Sequence, residues 1–170
     1  MNGQPLFDPI LILQGLLLSS SDPHFLFMQE ALNQANLAKG LSEVPIGAVV
    51  VKDSQIIGHG FNQNISMHSV AAHAEIIAIN QASKFIKNYR LIDCDLYVTV
   101  EPCHMCAKAI VDARIKHLYF GTIEPKSGAI ISVDNFLNHD FLNHKVNYEH
   151  GFLQEECSQL MKSFFLSRRN

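Results

Sequence analysis

The sequence predicts an α/β fold: a three-layer α-β-α domain with a central five-stranded mixed sheet. Three features lead there. Residues 46–51 form a continuous apolar, β-branched run, which suits a strand covered on both faces. Residues 56–61 return across the polar turn Lys52-Asp53-Ser54-Gln55, so the sheet begins with a hairpin. Beyond residue 70, helical and strand-like patterns alternate, and a helix between two strands is the usual parallel crossover. A hairpin joined to crossovers makes the sheet mixed, and the alternation puts helices on both faces.

Asp22-Pro23 opens the first helix, since Asp caps free amides and Pro is tolerated at the first helical position. Phe25, Met28, Leu32 and Ala35 recur at helical spacing, and Lys39-Gly40 closes the element. Gly58 and Gly60 mark places in the second strand where backbone approaches something closely. Residues 62–70 are a polar loop. A helix is expected over 71–85 with Ile76, Ile77 and Ile79 on its apolar side, then a strand over 96–100, a helix over 102–111 and a strand over 116–121. Residues 121–131 read as a loop, 133–138 as a short helix and 145–149 as an edge strand. The last helix, 153–168, carries the stripe Leu153, Cys157, Leu160 and Phe164. No repeat, low-complexity tract or linker divides residues 23–170, which read as one domain.

The 170 residues are enough to bury a real core, and 48% apolar content fits a globular chain. A net charge of −3 gives no global support for nucleic-acid binding, so such binding would need a local basic patch. The apolar run at residues 10–18 is far shorter than the roughly 20 residues a membrane helix takes. It also lacks the preceding Lys or Arg and the small-residue cleavage pattern of a signal peptide. Residues 1–22 are therefore expected to be a poorly ordered extension, and the protein to be cytoplasmic with no membrane association.

The chemically informative stretch is Glu101-Pro102-Cys103-His104-Met105-Cys106. Cys103 and Cys106 stand at i and i+3 of a helix start and share one face. The positive end of that helix favours the thiolates that bind metal. His73-Ala74-Glu75 opens another helix. The two helix starts follow the second and third strands, so they meet at one edge of the sheet, where α/β domains place their sites. One His, two Cys and a spare Glu suit a catalytic Zn2+ site with three protein ligands, an open position and an acid/base. A closed structural site needs a fourth ligand, and Cys94, His104 and Cys157 are not well placed by sequence. Cys94 and Cys157 read as small apolar fillers.

His73-Ala74-Glu75 followed by Pro102-Cys103-His104-Met105-Cys106 resembles the signature of zinc-dependent nucleoside and nucleobase deaminases of the cytidine deaminase-like superfamily. Glu43 to Val49, Asn88 to Asp93, Leu96 to Thr99, Asn143 to Val146 and Ser163-Phe164-Phe165 with Arg168-Arg169 are similar to bacterial tRNA-specific adenosine deaminases. The resemblance spans about residues 23–169. It implies that His73, Cys103 and Cys106 hold one zinc ion. It also implies that Glu75 shuttles protons during hydrolytic deamination of adenosine to inosine at position 34 of a tRNA anticodon loop. Asn62 matches a family residue that contacts the flipped adenosine. Phe165, Arg168 and Arg169, an aromatic beside paired cations, suit stacking and phosphate contact, with Lys126 as a further candidate. A homodimer is also implied.

The chain departs from the family pattern at Ser69-Val70-Ala71, at His104 and at Ile123-Glu124-Pro125. Two other readings share the motif. A deaminase of a free base or nucleoside would use the same zinc chemistry, but would have no use for Phe165 with Arg168 and Arg169. A non-catalytic RNA-binding module with structural zinc would have no use for Glu75.

Overall fold

The computed structural model describes residues 22–169. The expectation for residues 1–21 and the placement of Asn170 lie outside the described residues. Asp22 belongs to the domain rather than to an extension: its Oδ1 accepts the His24 N–H at 2.9 Å and caps the first helix.

The elements in chain order are α1 (Pro23–Gly40), β1 (Gly47–Lys52), β2 (Gln55–Phe61), α2 (Ala74–Ile86), β3 (Asp95–Val100), α3 (His104–Asp112), β4 (His117–Thr122), a 3₁₀ turn (Phe136–Asn138), β5 (Asn147–His150) and α4 (Gln154–Ser167). The strand order is β2-β1-β3-β4-β5. β1 pairs antiparallel with β2 and with β3, whereas β3–β4 and β4–β5 are parallel. The hairpin and the crossover through α3 are thus as the sequence predicts. Residues 133–138 supply only the 3₁₀ turn instead of a helix, and the edge strand lies slightly later than expected.

The pleat sorts the core into two layers because successive side chains point to opposite faces. Val49, Val51, Tyr97 and Tyr119 pack with Met28 and Ala31 of α1. Ala48, Val50, Leu96, Val98, Leu118 and Phe120 pack with α2 and α3. On α4, Cys157 and Phe164 are buried, while Leu153 and Leu160 are half-buried.

One expected core face is corrected. The buried residues of α2 are Ala74, Glu75, Ala78, Ile79 and Ala82, with Ile76 and Ile77 only half-buried. The glycines of β2 explain this. A Cβ on Gly60 would stand 2.1 Å from the Ala74 carbonyl oxygen, and one on Gly58 would stand 2.4 Å from that of Ala78. The helix lies almost on the strand backbone, so only alanine-sized side chains fit between them. This close approach sets the depth at which the start of α2 enters the domain.

Candidate active site

α2 begins at Ala74 and α3 at His104, so His73 and Cys103 are N-cap residues rather than members of a helical turn. His73 is extended, at φ −79° and ψ 151°, and its side chain does not cap its own helix. Asn62 does that instead: its Oδ1 accepts the Ala74 N–H at 2.9 Å. The imidazole is left to face the thiols, and its Nδ1 lies 3.7 Å from Cys103 Sγ and 3.4 Å from Cys106 Sγ. The three candidate ligand atoms all lie within 4.8 Å of one another. Tetrahedral zinc with bonds of about 2.05 Å to nitrogen and about 2.3 Å to sulfur sets such atoms roughly 3.6 Å apart. The residues therefore fit the ion with little rearrangement.

The charges point the same way. The Cys106 thiol donates to Cys103 and, with the His73 ring, pulls the Cys103 thiol down to about 3. Cys106, acting as donor in the same pair and buried, is pushed up. The His73 ring is raised chiefly by its hydrogen bond to Cys103. Without metal the pair thus holds one thiolate and one thiol, and metal binding displaces the remaining proton.

Glu75 lies one residue inside α2 and is only 3% exposed. Among the described residues, its Oε2 is a buried side-chain polar atom with no hydrogen-bond partner. Burial pushes its carboxyl up to about 7, against the pull of its own backbone amide and the His73 ring. A carboxyl titrating near neutrality beside a three-ligand cluster can both take and give a proton at working pH.

Two further buried carboxylates hold the loops after β2 and β4, and sequence reasoning missed their role. Glu43 is 1% exposed and accepts the N–H groups of Ile65 and Ser66 at 3.1 and 2.8 Å, which fixes the loop after β2. That loop departs from the family pattern of the resemblance at Ser69-Val70-Ala71. Asn64 stiffens it, donating from Nδ2 to the carbonyls of Ser69 and Val70 at 3.0 and 3.2 Å. Glu101 is also buried and binds the segment after β4. The readable signal was position: Glu101 directly follows a buried strand and Glu43 stands four residues before one, where an ionised side chain survives only if saturated.

His104, between the two thiols, turns outward. Its Nε2 lies 3.2 Å from Asp134 Oδ2, and its ring meets Phe136 edge-on at 5.9 Å. It docks residues 134–136 against α3 rather than joining the metal cluster.

The proposed RNA contacts separate into two groups. Lys126, Phe165 and Arg169 line one cavity of about 460 Å³ with Glu124, Met161, Lys162 and Leu166. Lys162 stands three residues before Phe165 and seven before Arg169, a helical spacing that could have revealed it. Arg168 does not line this cavity. Its guanidinium donates to the Ser42 carbonyl and lies 4.7 Å over the Phe164 ring, which ties the end of α4 to the turn after α1.

Comparison with known proteins gives this geometry a family. The pattern of the MafB19-like deaminases matches residues 22–169. The tRNA-specific adenosine deaminase of Haemophilus influenzae is 48% identical over 143 residues, covering 84% of this chain and 83% of its own. A solved structure from work on A-to-I editing by tRNA:A34 deaminases at the wobble position aligns with a TM-score of 0.77 at 41% identity, covering 79% of this chain and 97% of its own. A guanine deaminase from Bacillus subtilis aligns at 30% identity with a TM-score of 0.57, covering 85% and 92% of the two chains. The chain, with its five-stranded fold and its His-Cys-Cys cluster, belongs to this deaminase family, the one that holds the tRNA-specific adenosine deaminases.

Proposed function

We propose that the protein hydrolyses adenosine to inosine at the wobble position of a tRNA anticodon loop, releasing ammonia. The observation that carries the chemistry is the unpartnered Oε2 of buried Glu75 beside three ligand atoms already at coordinating separations. His73, Cys103 and Cys106 are the residues that would hold zinc. Bound there, the ion would lower the pKa of a water towards about 7 and so make a nucleophile available at neutral pH.

The remaining work falls to the chain. Glu75 Oε2 takes a proton from the attacking water and passes it to N1 of the purine. The carboxylate then takes the proton of the new C6 hydroxyl and delivers it to the amine, so that the C6–N bond breaks as the C6 carbonyl forms and ammonia leaves. Its elevated pKa matches both directions of transfer, a contribution of roughly 10²–10⁴-fold. Asn62 fixes the start of α2 through Oδ1, and among the described residues its Nδ2 has no partner, which leaves it available to the base.

An RNA substrate is favoured by the cavity of Lys126, Lys162, Phe165 and Arg169, where a basic rim surrounds an exposed aromatic ring. Arg168 is a weaker contact, since it is already engaged. Ile65, Met67 and Val70 are exposed apolar residues on the loop after β2, and a second copy covering them would make the protein a homodimer. Among the described residues no helix is long and apolar enough to cross a membrane. Incubating the zinc-loaded protein with an anticodon stem-loop carrying adenosine 34 should yield inosine, seen as a 1 Da mass increase (roughly, for NH exchanged by O) with zinc and Glu75 both required. An inert, fully zinc-loaded protein would sink the proposal.

The similarity to the guanine deaminase favours one other reading, a free base or nucleoside as substrate. Turnover of free guanine, cytosine or adenosine with no product on the stem-loop would establish it.

A further inference from the structure

Glu101 takes no part in the chemistry above, yet it stands directly before Pro102 and Cys103. Its carboxylate is 3% exposed and gathers both ends of the segment that follows β4. Oε2 accepts the Glu124 N–H at 3.0 Å and the Ser132 hydroxyl. Oε1 accepts the N–H groups of Ile130, Ile131 and Ser132 at 3.0, 2.7 and 2.9 Å. Gly128 closes the remaining space, since a Cβ there would come within 2.3 Å of the carboxylate. The Ala129 N–H donates to the Pro102 carbonyl at 2.8 Å, so the segment is also tied to the turn that carries Cys103.

Between these tied ends, Pro125, Lys126 and Ser127 are exposed. Glu124 and Lys126 line the same cavity as Lys162, Phe165 and Arg169. A carboxylate held by five donors has no freedom to rotate. The metal-ligand turn and the tip bearing Lys126 are therefore fixed with respect to each other through one side chain.

We infer that Glu101 is a positioning residue for the macromolecular substrate. It holds segment 124–132 in register with the Cys103 turn, so that the strand flanking the target base meets Lys126, Phe165 and Arg169 while the base lies against Glu75. This rests on the reading of the chain as an RNA deaminase. A knot with a purely structural role would lower the folded fraction, and with it the apparent kcat, and would leave KM alone. A positioning residue moves KM while zinc stays bound.

The test uses the full, zinc-loaded chain and an anticodon stem-loop. Glu101→Gln should raise KM about tenfold, a misplacement effect, with kcat within about threefold and metal content unchanged. Gly128→Ala, which displaces the segment while leaving the carboxylate intact, should raise KM in the same way, and it decides the question should Glu101→Gln not fold. Stem-loop binding is then compared between Glu75→Ala and Glu75→Ala/Glu101→Gln. Binding by the first and about tenfold weaker binding by the second supports the inference. Equal binding, with KM unmoved in Gly128→Ala, overturns it and leaves the RNA reading standing. Failure of Glu75→Ala to bind the stem-loop at all defeats the RNA reading itself.

Discussion

Glu75 and Glu101 are the same side chain at the same 3% exposure, and the fold treats them in opposite ways. Glu75 has a buried oxygen with no partner, and burial raises its pKa to about 7. At Glu101 burial also acts upward, but the Ser132 hydroxyl and the amides of Ile131, Glu124 and Ser132 outweigh it and hold the carboxyl below its usual range. Glu43 repeats the Glu101 pattern, with the Ser66 and Ile65 amides overcoming its burial. Burial alone therefore does not mark a reactive carboxylate. Burial with too few donors to offset it does, because only then is the charged form costly enough to move a proton near pH 7.

The largest effect expected from this contrast is chemical. Glu75→Gln should lower deamination of the stem-loop by roughly 10²–10⁴-fold with zinc content unchanged, read by inosine formation and metal analysis. Glu43→Gln should leave the chemical step intact once the protein is folded. Comparable kcat losses in both variants would erase the distinction.

Stability should move in opposite directions. For Glu75 the folded pKa is raised, so its neutral form suits the fold and the burden of the buried carboxylate grows as pH rises from about 4.5 through about 7. Glu75→Gln should therefore stabilise the metal-free protein increasingly between pH 5 and pH 8, by on the order of 2–3 kcal/mol at the upper end. For Glu43 the folded pKa is lowered, so its stabilisation is present above the unfolded value and is lost as pH falls through the folded one. Glu43→Gln should cost about 2 kcal/mol at neutral pH, shrinking in acid. Denaturant midpoints across that range check both signs.

Metal uptake gives a third test. Because the Cys103–Cys106 pair retains a proton without metal, zinc binding should release it, and affinity should fall as pH drops. Calorimetry in buffers of different ionisation enthalpy measures the release. Smallest is the split between adjacent arginines. Arg169→Ala should reduce the salt dependence of RNA binding by roughly one counterion without altering stability. Arg168→Ala should instead cost about 1 kcal/mol of stability, through the lost Ser42 and Phe164 contacts, with little change in that slope.

Much of this was legible in the residues themselves. The β-branched run of β1, the Asp22-Pro23 cap and the His73, Cys103 and Cys106 spacing depend on local chemistry: side-chain branching, backbone amides at helix ends and the ligand preferences of a metal. What misled was whatever depends on distance between elements. Ile76, Ile77 and Ile79 looked like the core face of α2, but Gly58 and Gly60 draw the helix so close that Ile79 and alanines occupy it. Arg168 and Arg169 looked alike until the end of α4 turned one towards Ser42 and left the other beside Phe165.

The sequence by itself pointed to the layered α/β fold, the candidate ligand set and the candidate acid/base, because each follows from residue type and from spacing at the starts of elements. Only the tertiary structure decided how each buried glutamate ionises. Glu43, Glu75 and Glu101 differ in the number of N–H and O–H donors that reach them, and many of those donors come from chain more than 20 residues away. The ionisation of a carboxyl is set by what surrounds it in space, and that is fixed only when the sheet brings the loops together.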